Sequence, residues 1–185
     1  MAERSVNIND VDPECVPFYL LTKRAREVLQ HTANGLPHKE VAKRMGISPK
    51  TVEAHIHAIT TIGTEAHGVY IDSEYANQAH ITMTALIQDG IASGYLKHKL
   101  PMPTDLFEPL RPREKEVMGL LLEGMTHQEI AKRLLIAPKT TQIHTTSIRA
   151  KLGTNNIYHT VARVAYLKAI RQQMTFAGQQ TSRQR

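Results

Sequence analysis

Two stretches place the same reactive residue types at the same spacing. Pro49-Lys50-Thr51 and Pro138-Lys139-Thr140 each set a lysine and a hydroxyl directly after a proline, the residue best tolerated at a first helical position. At a helix N-terminus the open N–H groups, the positive dipole end, an ammonium and a hydroxyl together favour a phosphate. Further along, Gln142, Ile143 and Thr146 follow the second pair, and Glu53, Ala54 and His57 follow the first. A glutamine amide matches the N6/N7 edge of adenine and an isoleucine can touch a thymine methyl, so the second set leans toward A·T pairs. Glu53 can accept only from a cytosine amino group and otherwise meets phosphates with repulsion. Two further cations, Arg149 and Lys151, come last.

Other chemistries lack their residues. No Ser/His/Asp arrangement, phosphate-binding glycine loop or paired carboxylates occur, so the chain reads as no enzyme and calls for no cofactor. There are ten histidines, but His55 and His57 are two apart on a helix and point away from each other, so no metal site is read. A single cysteine, Cys15, excludes an intrachain disulfide and a cysteine zinc cage. No run approaches 18 apolar residues and no signal pattern opens the chain, which places it off the membrane, in the cytoplasm.

The elements behind these residues occur twice. Shifting the 185-residue sequence by 89 aligns Leu21–Ile59 with Leu110–Ile148. Sixteen of 39 positions are then identical without a gap, among them Arg24/Arg113, Gly35/Gly124, Glu40/Glu129, Ala42/Ala131, Ile47/Ile136 and His55/His144. In the second copy Pro112 opens a helix ended by Gly124, and Thr126 caps a short helix with Glu129 three residues on. Ile136-Ala137 makes a turn, and Pro138 opens a third helix that Gly153 ends. The first copy predicts helices over Lys23–Asn34 and Lys39–Met45, a turn at Gly46-Ile47, and a third helix from Pro49 to about Ile62-Gly63. Two short helices joined by a tight turn make a helix-turn-helix, with the third helix free to enter a major groove. Charge alternates with this plan: −3 over 1–20, +4 over 21–62, −4 over 63–109 and +9 over 110–185, for a total of +6. Such block asymmetry points to a polyanionic surface.

These residues resemble the LuxR-type (GerE) helix-turn-helix family. The first copy shows Leu21-Thr22-Lys23-Arg24, Gly35, Lys39-Glu40-Val41-Ala42, Ile47-Ser48-Pro49-Lys50-Thr51-Val52 and His55. The second shows Leu110-Arg111-Pro112-Arg113-Glu114, Gly124, Gln128-Glu129-Ile130-Ala131, Ile136, Lys139-Thr140, His144 and Lys151-Leu152-Gly153. The departures are Glu53 and Gln142 where the family often has a base-reading lysine, a first copy without the closing Lys-Leu, and an insertion over 64–75. The resemblance implies an all-α chain of two tandem four-helix units joined by a proline-rich linker. It would be a bacterial, phage or mobile-element transcription regulator of the nucleoid, reading double-stranded DNA with helices 49–62 and 138–152. The contacts then expected are Lys139 and Thr140 to phosphate, Gln142, Ile143 and Thr146 to bases, and Arg149 and Lys151 to backbone, with Lys50, Thr51, Glu53 and His57 in the first unit. A competing reading keeps the fold but docks one or both units on RNA polymerase or another regulator.

The expected organisation is an acidic arm over 1–19, a first unit over 20–94, a linker over 95–109, a second unit over 110–172 and a disordered basic tail over 173–185. The first unit's fourth helix falls at about Ser73–Ser93. In the second, Val161, Val164, Ala165, Leu167 and Ile170 share one side of a helix ending near Gln172, with Arg163, Lys168 and Arg171 on the others. In part of the family this helix mediates dimer contacts, so Val161, Val164, Leu167 and Ile170 are dimer or interdomain candidates. Closing a small core is the equal alternative, because a unit of about 65 residues needs every apolar face. The chain is then a homodimer or a monomer with pseudo-dimeric units. Pro101, Pro103 and Pro109 stiffen the linker. Its span of roughly 47 Å from Leu96 exceeds the separation of about 34 Å between adjacent half-sites.

Overall fold

The computed structural model describes residues 20–66, 78–97 and 110–182, with side chains over 20–65, 80–97 and 110–170. The acidic arm, most of the 64–75 insertion and most of the linker lie outside the described residues. Among the described residues the regular structure is all helical: α1 Lys23–Ala33, α2 His38–Met45, α3 Pro49–Ala66, α4 Gln78–Ala92, α5 Pro112–Leu122, α6 His127–Leu134, α7 Pro138–Leu152 and α8 Ile157–Ser182. Helices α1–α4 form one helix-turn-helix unit and α5–α8 its repeat.

Local chemistry sets most boundaries. The Thr22 hydroxyl accepts from the Ala25 N–H at 3.2 Å to start α1. Glu114 turns back to accept from the Arg111 N–H at 2.7 Å at the head of α5. Thr126 and Glu129 close a reciprocal capping box on α6. Asn156 Oδ1 accepts from the His159 N–H at 2.9 Å to open α8. The tight turn of the first unit uses Gly46 in the left-handed region at φ 65°. Its counterpart in the second unit is Leu135, left-handed at φ 53° and 93% exposed.

Two expected boundaries are corrected. Helix α3 continues through Gly63 to Ala66. Gly63 is a close-contact residue, since a Cβ there would lie 2.6 Å from Thr82 Cγ2 and 2.7 Å from Leu86 Cδ1. The tail expected to be disordered continues α8 as far as Ser182. A formed helix adds one hydrogen bond for each residue it fixes, and Gln, Met and Ala cost little to include.

The cores are unequal. One gathers Val28, Leu29, Val41, Val52, Ile59, Met83, Leu86 and Ile87 of the first unit, and with them Val161, Ala162 and Ala165 of α8. The other holds Val117, Met118, Leu121, Ile130, Ile148 and Leu152, with Ile157 and Val164 against it. Helix α8 therefore serves both units, and its contact with α4 is the most extensive between any two helices. Arg163, expected on an outward side, is only 6% exposed, because α8 is covered on two sides. Its Nε has no hydrogen-bond partner among the described residues.

Candidate nucleic-acid interface

The inward face of α7 is set by Thr141, Thr145, Ile148 and Leu152, all buried at helical spacing. That anchoring turns Lys139, Gln142, Ile143 and Thr146 outward. Ile143 is 60% exposed, an apolar side chain presented to solvent on the expected reading face. Thr140 is half-buried beside them. Ala137 offers no side-chain cap to α7, and its carbonyl accepts from the Thr140 and Thr141 N–H groups at 2.9 and 3.2 Å.

In the first unit Val52 and Ile59 anchor α3 in the core. Lys50, Glu53, Ala54 and His57 are exposed and Thr51 is half-buried. Here Ser48 does cap the helix: its Oγ accepts from the Thr51 N–H at 3.0 Å and lies 2.8 Å from the Thr51 hydroxyl. His55 and His144 are half-buried at equivalent positions of the two helices.

The two cations expected on the DNA backbone part company. Arg149 is half-buried near Thr146, its Nη2 3.5 Å from the Thr146 hydroxyl and its Nη1 3.4 Å from the Asn155 carbonyl. Lys151 turns inward, against expectation. Its side chain is 13% exposed and Nζ donates to Glu114 Oε2 at 2.9 Å. Ser147 Oγ donates to the other carboxylate oxygen at 2.6 Å. The bond from Ser147, the Arg111 N–H and Lys151 outweigh burial and hold the Glu114 carboxyl down at about 2.

Sequence reading missed a cleft of about 530 Å³ beside α7. It brings Gln142, Thr146 and Arg149 together with Thr126, His127, Thr145, Ile157 and, from the first unit, His80. His80 Nδ1 lies 3.0 Å from the Tyr158 hydroxyl, a contact between the units, with ring centroids 5.3 Å apart. His127 Nε2 lies 3.1 Å from Thr145 Oγ1. Burial lowers the pKa of both histidines; Arg149 adds to this at His127, whereas Glu129 opposes it at His80. No local pattern marks this cluster, since His80 and Tyr158 stand 78 residues apart.

The four candidates for dimer or interdomain contact have different surroundings. Val161 is buried in the first unit's core, Val164 packs against the second unit's core, and Leu167 and Ile170 are half-buried. Among the described residues no group of three or more His, Cys, Asp or Glu side chains is placed to hold a metal. No helix among them is long and apolar enough to cross a membrane.

The chain is similar in sequence to several bacterial regulatory proteins. The C4-dicarboxylate transport transcriptional regulatory protein DctR of Rhodobacter capsulatus is 48% identical over 44 residues, covering 24% of this chain and 22% of DctR. The uncharacterized transcriptional regulatory protein YhcZ of Bacillus subtilis is 46% identical over 48 residues, covering 26% of this chain and 22% of YhcZ. The oxygen regulatory protein NreC of Staphylococcus aureus is 30% identical over 86 residues, covering 45% of this chain and 39% of NreC. The matched stretches thus span less than two fifths of these relatives. No solved structure matches the chain. The family described as bacterial regulatory proteins, luxR family, matches residues 19–61 and 108–164. Those segments are the two helix-turn-helix units and more than half of the chain, so the protein belongs to the luxR family of bacterial regulatory proteins.

Proposed function

We propose that the chain is a transcriptional regulator that binds double-stranded DNA sequence-specifically, with α7 making the main contacts in a major groove. The observation that carries this is the outward row Lys139, Gln142, Ile143 and Thr146, set by a buried row on the opposite side of one helix. Lys139 and Thr140 hold a phosphate, Gln142, Ile143 and Thr146 face base edges, and Arg149 reaches the backbone. Lys151 contributes to the position of α7 through Glu114 and drops out as a phosphate contact. In the first unit Lys50 and Thr51 would take a phosphate, and Glu53 and His57 would face bases. Cytoplasmic residence follows from this reading.

Selection from random duplexes by the full chain, followed by a salt titration, tests it. A selected motif is expected. About six phosphate contacts give a log–log slope near −5. Gln142→Ala is expected to weaken the selected duplex by about 1–3 kcal/mol. Exposed Glu53 favours a second reading, in which the first unit contacts RNA polymerase or another regulator. A flat salt response and no selected motif would extend that reading to the whole chain and exclude DNA as the partner.

A further inference from the structure

We propose that one chain is a built-in pair of unlike readers whose substrate is a two-part, non-palindromic duplex site, bound one chain per site. This rests on the DNA reading above.

The contact between the units is reciprocal. Gly35, after the first helix of unit one, faces His159, the third residue of α8; a Cβ there would lie 2.5 Å from His159 Nδ1. Gly124, after the first helix of unit two, faces Ile81, the fourth residue of α4; a Cβ there would lie 2.6 Å from Ile81 Cα. Each unit thus presents the glycine that ends its first helix to the start of the other's fourth. When the same patches meet crosswise, the two bodies are related by an approximate two-fold axis. Helix-turn-helix dimers use that relation to present two recognition helices to half-sites about 34 Å apart. Here α4 and α8 supply the axis within one chain, and Gln88 Nε2 adds a bond to the Leu122 carbonyl at 2.8 Å.

The pairing is asymmetric. Thr84 and Arg163 are each the seventh residue of their helix, and both are buried. Two α8 helices paired between chains would bury two guanidiniums where this contact buries one, and burying unpaired charge is costly. The reading faces differ as well. The repeat keeps Lys-Thr at both helix starts, but pairs Glu53 with Gln142, Ala54 with Ile143, His57 with Thr146 and Thr60 with Arg149. The Lys-Thr grip is common to both units; the base-facing residues are not, and the backbone-facing Arg149 has the buried Thr60 as its counterpart.

Duplexes selected by the full chain, sedimented with it and footprinted, decide the matter. The expected result is one chain per duplex and two unlike half-sites centred about 10 base pairs, or a multiple, apart. Gln142→Ala weakens duplexes by about tenfold through the half-site of the second unit alone. His57→Ala changes preference only in the half-site of the first unit. Two chains on a palindrome overturn the proposal while leaving DNA reading intact. A single half-site indifferent to His57→Ala does the same. Failure to retain any duplex overturns both the proposal and the reading beneath it.

Discussion

The Glu114 carboxylate accepts from Ser147, the Arg111 N–H and Lys151. The matching side-chain positions of the first unit, Ala25, Ala58 and Ile62, carry no polar group. The missing closing lysine of the first unit is therefore half of a paired loss: with no glutamate at 25, a lysine at 62 would have no counter-ion. Glu114→Gln leaves the Lys151 ammonium without its charge partner in a largely buried place, and should cost about 3 kcal/mol at neutral pH by denaturant titration. Because folding holds the carboxyl at about 2, below its ordinary 4.5, its stabilisation is present above pH 4.5 and is lost as pH falls toward 2. The gap between wild type and Glu114→Gln should close over that same interval. Leu135 gives the opposite prediction. It holds a left-handed conformation while packing on almost nothing, so Leu135→Gly should stabilise the chain by about 1 kcal/mol. A rise in melting temperature of roughly 2–4 °C would register it.

At the scale of elements, glycines separate a turn from a contact. Gly46 is left-handed at φ 65° with open space around it, so Gly46→Ala should cost about 1 kcal/mol, the conformational penalty alone. Gly124 is left-handed at φ 81° and also meets the backbone of Ile81, so Gly124→Ala should cost about 3 kcal/mol. Chemical denaturation of the two variants side by side tests that difference. The same distinction explains what could be read from residues alone. Pro49, Pro112 and Pro138 announced helix starts, and Gly35, Gly124 and Gly153 announced ends, because proline and glycine act through local backbone geometry. Gly63 was misread as an end because its reason is a neighbour, α4, far along the chain. The outward residues of α7 were legible from helical spacing. The cleft at His80 was not, since it exists only where two units meet.

Across the chain the repeat reads as two modules, and the packing joins them through α8. Val161, Ala162 and Ala165 complete the core of a unit whose own sequence ended long before them. Calorimetry of the full chain should accordingly show one cooperative transition. Val161→Asp should unfold both units together, followed separately through amide exchange in α1 on one side and in α7 on the other; two independent transitions would contradict a shared core. Part of the acidic stretch between two basic ones is α4, which meets α8 and brings His80 into the cleft beside α7. The contact between α4 and α8 has one more consequence. A pair formed by two separate chains loosens on dilution, so its dose response steepens with the second order of encounter. Halves tied into one polypeptide meet at a local concentration set by the tether. Their alignment is the same at a few copies per cell as at thousands, and site occupancy would climb in simple proportion to dose, without a threshold.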